Sequence, residues 1–277
     1  EAYGRKACPA FHVYGRLPIW SDDYLIGRIA QLRDMGMANV YFKMAGFDPE
    51  DLEHVLRLAS KAQVDMVTFD GAGGGSGYSP CKMMNEWCLP TVVMESILYG
   101  ILNKLAAEGM ELPHVAITGG FATEDQVYKA LALGAPYVKA VCMSRSFMIP
   151  AFLGCNIEGA LHPERRERVH GAWSALPKTV LDIGDTPETI FAGYHALKER
   201  LGADEMAHIP YGAIAMWTMC DRLGAGLQHH MAGARKFGVE HIDRTDICAA
   251  NRETAQETGI PFITEQDDEL ARRIVLG

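Results

Sequence analysis

The 277-residue sequence lacks the features that mark several large classes of protein. No apolar run approaches the roughly 18 residues that a membrane-spanning helix needs, and no signal peptide is visible. Lysine and arginine form no stripe, and the net charge is −9 at pH 7. We therefore expect neither a membrane segment nor a nucleic-acid partner.

Closely spaced cysteines are also lacking. The seven cysteines form no CxxC pair, and the tightest spacing joins Cys81 and Cys88. An odd, scattered set is typical of reduced thiols, which predicts a cytoplasmic protein without a disulfide framework or a zinc site. His229 and His230 are adjacent and would point to different faces of a helix, so together with His241 they predict no metal site.

The sequence does contain a regular alternation of strand and helix patterns. Hydrophobic residues make up 48% of the chain, which is enough for one substantial core. Apolar runs typical of buried strands alternate with stretches whose apolar residues recur at helical spacing. The predicted strands are 39–45, 64–69, 114–118 and 137–142, and helices are predicted to begin near residues 22, 49, 90 and 123. The third helix is predicted to bury the stripe Val93, Ile97, Ile101 and Leu105, and Thr123 with Gln126 predicts a capping box for the fourth. Short connections between them predict an α/β fold with a parallel sheet and crossover helices.

Four strand–helix units amount to half of a (β/α)8 barrel, which has eight strands in about 250 residues. The 38 residues before the first strand cannot supply four more units, and the sequence starts at Glu1 and not at Met. We expect residues 1–154 to be the C-terminal half of a TIM-type barrel whose other strands lie upstream or on another chain. An open sheet with few strands is the alternative.

Residues 155–277 are predicted to form an α-helical tail that packs on the barrel. Helical patterns cover 187–200, 211–222, 224–236 and 249–257, and residues 243–246 predict a helix cap or a salt-bridge cluster.

The segment FDGAGGGSGYSP (69–80) has five glycines within seven residues, directly after a predicted strand. Glycine permits positive φ and lets a ligand approach the backbone closely. The carboxyl ends of parallel strands are where α/β active sites lie. No GK[ST] follows and the spacing differs from GxGxxG, so neither a P-loop nor a dinucleotide-binding fingerprint is predicted. The segment predicts a ligand-binding loop; a flexible connector is the alternative.

A second pair of loops predicts a phosphate site. Gly119 and Gly120 follow the third strand, and Met143 and Ser144 follow the fourth. Backbone N–H groups from two such neighbouring loops converge on one phosphate in phosphate-binding barrels.

Lys43 is a lone charge in an otherwise apolar strand. Such a lysine is costly unless it meets an anion or a reacting group. If it faces a ligand pocket, it can stabilise negative charge on a reduced flavin. The alternative is a side chain that reaches water at the mouth of the strand.

In this order, the lysine-bearing strand, the glycine-rich loop and the Gly-Gly loop resemble the FMN-binding synthase domain of glutamate synthase and its stand-alone relatives. Pro90 with the following apolar helix and Glu95, the segment 132–135, and the stretches 228–237 and 258–261 are also similar. The resemblance covers roughly residues 12–154 and 190–262. It makes the four predicted strands the fifth to eighth of the barrel.

The resemblance implies an FMN-dependent oxidoreductase of glutamate biosynthesis. Hydride from reduced FMN would pass to an imine such as 2-iminoglutarate, formed from 2-oxoglutarate and ammonia. It implies that Lys43 contacts the isoalloxazine and acts in catalysis. The implied cofactor-binding residues fall into the glycine-rich loop and the phosphate loops: Asp70, Gly73, Gly74, Gly75, Gly119, Gly120, Met143 and Ser144.

The sequence departs from the family at two places that matter for function. Ala72 and Gly73 stand where the family commonly has a His-Asp pair. Cys155 has no cysteine neighbour before Cys220, so we expect no iron–sulfur cluster. Two alternatives to a flavin enzyme stay open: a barrel that binds a phosphorylated substrate without flavin, and a non-catalytic subunit completed by another chain.

Overall fold

The predicted alternation of strands and helices is present in the computed structural model, which describes residues 21–46, 48–74, 86–168 and 173–276. The first part of the chain contains α1 (Asp22–Asp34), β1 (Tyr41–Ala45), α2 (Pro49–Lys61), β2 (Met66–Asp70), α3 (Thr91–Ala107), β3 (His114–Thr118), α4 (Glu124–Leu133) and β4 (Val138–Cys142). The predicted α/β class is therefore confirmed.

The four strands form one parallel sheet in the order β1-β2-β3-β4. A doubly wound sheet reverses its strand order at a switch point, whereas this order follows the chain without reversal. Consecutive right-handed crossovers then leave the helices on one side of the sheet, and α2 contacts both α1 and α3. The arrangement is compatible with part of a TIM-type barrel; the numbering of its strands as five to eight stays a prediction.

The two faces of the sheet differ in composition. The face toward the helices is apolar, and Val67, Phe69 and Ile117 on it are fully buried. Burial of each such side chain contributes roughly 1.5–3 kcal/mol. On the opposite face, the register aligns two rows of small or polar residues: Lys43, Thr68, Ala116 and Ala140, then Ala45, Asp70, Thr118 and Cys142. The second row lies at the carboxyl ends of the strands.

Local sequence signals account for several helix starts. The carboxylate of Asp48 accepts a hydrogen bond from the Glu50 N–H at 2.8 Å, which caps α2. Gln126 accepts from the Thr123 N–H at 3.2 Å, which is half of the predicted capping box; the Thr123 hydroxyl instead donates to Asp125.

The predicted phase of α3 is wrong. Its buried stripe consists of Met94, Leu98 and Leu102, each one residue beyond the predicted Val93, Ile97 and Ile101, while Leu105 is buried as predicted. This helix is apolar around most of its circumference, so periodicity alone does not determine which side meets the sheet.

The chain divides into two compact units. The first comprises the described parts of Glu1–Gly120, Lys129–Cys142 and Ile242–Gly277, so it contains the sheet. The second comprises Phe121–Tyr128 and Met143–His241. The boundary predicted at residue 154 stays a prediction.

The second unit is helical. It contains α5 (Arg145–Leu161), a 3-10 helix (Pro163–Arg168), α6 (Lys178–Leu181), α7 (Pro187–Ile190), α8 (Tyr194–Leu201), α9 (Ala203–Met206), α10 (Tyr211–Gly233) and a 3-10 helix (Val239–His241). A buried cluster that includes Ile157, Phe191 and Ile214 forms its core.

Helix α10 runs unbroken through Gly224, so the prediction of two helices, 211–222 and 224–236, is wrong. An interior glycine costs a helix only about 1 kcal/mol, and the packing of α10 against α5 offsets it.

The C-terminal part of the first unit contains a 3-10 helix (Arg244–Asp246), α11 (Arg252–Thr258) and α12 (Asp268–Leu276). Asp243 caps the 3-10 helix, as residues 243–246 predicted. Among the described residues, no helix combines the length and the apolar composition needed to cross a membrane.

Candidate functional site at the carboxyl ends of the strands

Lys43 and Asp70 form an ion pair on the sheet face opposite Val67, Phe69 and Ile117. The Lys43 Nζ atom lies 2.6 Å from Asp70 Oδ2. The two partners differ in exposure, since the Lys43 side chain is 48% exposed and that of Asp70 only 4%. The Lys43 ammonium therefore meets an anion, although its side chain is half exposed. The structure brings together two residues that the sequence predicted separately.

The described part of the glycine-rich loop begins at Gly71, directly after Asp70. The Gly71 N–H donates to the Thr118 carbonyl at 2.8 Å, and the Gly74 N–H donates to the Gly71 carbonyl at 2.9 Å, which turns the chain back. A Cβ at Gly74 would lie 2.6 Å from Asp70 Oδ1, so a side chain there would collide with the carboxylate. The turn needs glycine because it packs on Asp70.

Gly119 and Gly120 lie beside the same loop. Both have positive φ, +128° and +85°, as does Gly73 at +81°. A Cβ at Gly73 would lie 3.9 Å from the Gly120 nitrogen, so the two loops approach through backbone atoms. Gly120 is exposed, and its N–H donates to no other residue among those described. The arrangement can present backbone donors to an anion.

Thr91, the first residue of α3, holds the Gly119 turn. Its hydroxyl donates to the Gly119 carbonyl at 2.9 Å. Gly71 also packs against Thr91 so closely that no side chain would fit. The sequence analysis did not single out Thr91, although its position after Pro90 at a helix start was a usable signal.

The charge of Asp70 contributes to the raised pKa of two thiols. Desolvation raises the pKa of Cys142; Asp70 raises it further, and Lys43 lowers it. Desolvation also raises the pKa of the buried Cys88, again with a contribution from Asp70. Both thiols are therefore kept protonated near neutral pH. Cys142 joins the site through strand register, which composition and spacing do not reveal.

The placement of the other predicted site residues beside these stays a prediction. Met143 and Ser144 follow β4 and begin the second unit, where Ser144 lies at the start of α5 without a side-chain capping bond. Gly75 lies outside the described residues. The convergence of all these residues on one phosphate stays a prediction.

Metal-binding and disulfide chemistry find no support in the described part of the chain. No group of three or more histidine, cysteine or acidic side chains is placed to hold a metal ion there. The five described cysteines, Cys88, Cys142, Cys155, Cys220 and Cys248, are free thiols.

Comparison with known proteins identifies the family of this chain. Residues 15–164, more than half of the chain, match the family model described as the conserved region in glutamate synthase. The match includes the whole sheet and both glycine loops. No curated protein matches the chain. The chain therefore belongs to the glutamate synthase family, as a relative of the synthase domain.

Proposed function

We propose that this chain is the FMN-binding part of a glutamate synthase-like oxidoreductase acting on an imine such as 2-iminoglutarate. Family membership supports an oxidoreductase of this kind. One observation supports a more specific function. The ion-paired Lys43 and the loops of Gly73 and Gly120 both lie at the carboxyl edge of the parallel sheet. This edge is where barrel enzymes bind their ligands.

The described residues fit the chemical groups of FMN. A phosphate needs backbone donors without side chains in the way, and Gly73, Gly119 and Gly120 supply backbone in conformations that favour glycine. An electron-rich ring system needs a nearby cation, and the half-exposed Lys43 supplies one. The Thr91 hydroxyl fixes the Gly119 turn, which prepares the cradle before the ligand arrives.

When bound, FMN would supply hydride chemistry at its N5 position. The protein's part is to anchor the phosphate on the glycine loops and to place the Lys43 ammonium where negative charge develops. Met143, Ser144 and Gly75 complete this proposed site. Formation of the imine from 2-oxoglutarate and ammonia, and a role in glutamate biosynthesis in the cytoplasm, belong to the same proposal. So does closure of the barrel by strands of another segment or chain, since β1 and β4 each have one neighbour among the described strands.

Titration of the purified chain with FMN tests the proposal. Binding should quench flavin fluorescence, and Gly120→Ala should weaken binding by roughly tenfold or more, because alanine strains a positive φ by about 1–2 kcal/mol. Gly109→Ala is the matched control: its φ is +78°, its Cβ also meets open space, and it lies after the end of α3, away from both loops.

Three outcomes separate the candidate functions. Weak binding confined to Gly120→Ala would support the flavin site. Equal losses of FMN affinity in Gly120→Ala and Gly109→Ala would indicate general backbone strain and contradict a phosphate site at Gly120. A folded wild-type chain that ignores FMN but binds a sugar phosphate would favour the flavin-free barrel enzyme.

A further inference from the structure

Asp70 is an unusual partner for Lys43 because it is buried while the lysine is half exposed. The residue is 3% exposed, and a buried carboxylate is costly unless an opposite charge or hydrogen bonds satisfy it. Lys43 contacts Oδ2, and the Gly74 turn packs against Oδ1. The carboxylate is therefore fixed from both sides.

The register shows what the ion pair does to Lys43. Lys43 pairs with Thr68, whereas Asp70 lies two residues further along β2 on the same face. Two residues correspond to about 7 Å along a strand. The ion pair therefore draws the ammonium along the sheet toward the carboxyl edge, where Gly73 and Gly120 lie.

The pair also has a consequence for charge. A lysine alone would present a full positive charge to a ligand, but the Lys43–Asp70 pair is neutral overall. The ammonium has three N–H donors, so donation to Asp70 leaves others for a ligand. The electrostatic attraction for an anion is then weaker and more directional than that of a free lysine.

We propose that Asp70 is a positioning residue that holds the Lys43 ammonium at the ligand edge of the sheet and offsets its charge. This inference rests on the proposed flavin function for its consequence, but the pairing itself can be measured without flavin. Asp70 acts through Lys43 and does not contact the ligand. Its removal should free the lysine and leave an unbalanced cation beside the ligand.

The first arm of the test uses the chain without FMN. An amine-acylating reagent at fixed pH, with labelled peptides quantified by mass spectrometry, should modify Lys43 slowly in the wild type. In Asp70→Asn, labelling of Lys43 should rise by roughly threefold or more, because a buried charge-assisted hydrogen bond is lost. Labelling of Lys61, an exposed lysine at the end of α2, should not change.

A second variant keeps the inference testable if Asp70→Asn does not fold. Lys43 lowers the pKa of the Cys142 thiol, so Lys43→Met should reduce the thiolate fraction and slow alkylation of Cys142 by iodoacetamide, roughly threefold. Asp70 raises that pKa, so Asp70→Asn should speed the same alkylation. Slower alkylation in Lys43→Met alone supports a cation held beside Cys142, and unchanged alkylation contradicts it. Where Asp70→Asn folds, faster alkylation in that variant supports the paired anion.

The second arm measures the reduction potential of bound FMN. Asp70→Asn should raise it and Lys43→Met should lower it, because reduction places negative charge near the cation. A tenfold change in the ratio of reduced to oxidised flavin corresponds to about 30 mV for a two-electron couple. A carboxylate with only a structural role would leave the potential unchanged.

Unchanged labelling of Lys43 in Asp70→Asn, or an unchanged or lowered potential, would overturn the inference. Failure of the wild-type chain to bind FMN would overturn the proposed function and, with it, the consequence for a flavin. The labelling result would still decide whether Asp70 holds Lys43.

Discussion

At the scale of single residues, Glu95 is a buried carboxyl group whose charge is only partly compensated. It is 2% exposed, and its Oε1 atom has no hydrogen-bond partner among the described residues. Desolvation raises its pKa well above the ordinary 4.5, and the positive charge of Arg244 only partly opposes this. The folded protein therefore keeps Glu95 protonated to a higher pH than the unfolded chain does.

This protonation predicts how stability depends on pH. Because the folded-state pKa is raised, the stabilising contribution is fully present below about pH 4.5 and is lost as the pH rises through the folded pKa. Glu95→Gln, which is neutral at every pH, should therefore have a higher urea midpoint than the wild type at pH 8 and an equal one at pH 4. Glu253→Gln on the exposed face of α11 is the control. Equal midpoints of Glu95→Gln and wild type at pH 8 would show that Glu95 is not buried as a neutral acid.

Sequence reasoning singled out individual residues of the candidate site but not all of their contacts. Lys43 and the glycines could be predicted because a charge in an apolar strand and a cluster of glycines are local signals. The pairing of Lys43 with Asp70 could not, since it depends on the register between β1 and β2. Thr91 and Cys142 join the site for the same non-local reason.

At the scale of elements, the α5–α10 pair depends on glycines at its contact. A Cβ at Gly212 would lie 2.9 Å from the Ala151 carbonyl oxygen and from Cys155 Sγ. A Cβ at Gly154 would lie closer still to α10, within contact distance of the Tyr211 carbonyl oxygen. The periodicity of the sequence predicts which segments are strands and which are helices. It does not predict which helices pack against each other, and the α5–α10 contact depends on that. The unbroken course of α10 through Gly224 has the same origin, because packing against α5 and not local propensity decides it.

Two glycine substitutions on α10 should therefore act in opposite directions. Gly212→Ala should destabilise the second unit by roughly 1–3 kcal/mol, because the helices must separate to accommodate a methyl group. Gly224→Ala meets open space and should stabilise the helix by up to about 1 kcal/mol. Urea unfolding followed by circular dichroism measures both. Destabilisation by Gly224→Ala, or tolerance of Gly212→Ala, would contradict the close α5–α10 contact.

At the scale of the whole molecule, the two compact units are not continuous segments of the chain. The segment from Ile242 onward belongs to the unit that contains the sheet, although the preceding Met143–His241 belong to the second unit. Local signals predicted its helix cap at Asp243 correctly but not its attachment. Arg244 makes that attachment, since its guanidinium donates to the Leu133 carbonyl at 2.5 Å and to the Thr258 carbonyl at 2.6 Å.

Arg244 also stacks on the Tyr99 ring, 4.0 Å from the centroid, so one side chain joins the C-terminal segment to α3 and α4. Arg244→Met should cost on the order of 3 kcal/mol, because hydrogen bonds of a charged donor contribute about 1.5–3 kcal/mol each, and should expose the segment after Ile242 to limited proteolysis. Arg244→Lys should rescue little, since an ammonium cannot reproduce the planar fork and the stacking. Arg252→Met is the matched control on the same segment, because Arg252 pairs with Glu265 at 2.7 Å on an exposed surface and such a pair contributes at most about 1 kcal/mol. Equal protease sensitivity of the Arg244 and Arg252 variants would mean that the segment is held by its apolar contacts, such as Ile260 beside Leu133, and not by the arginine.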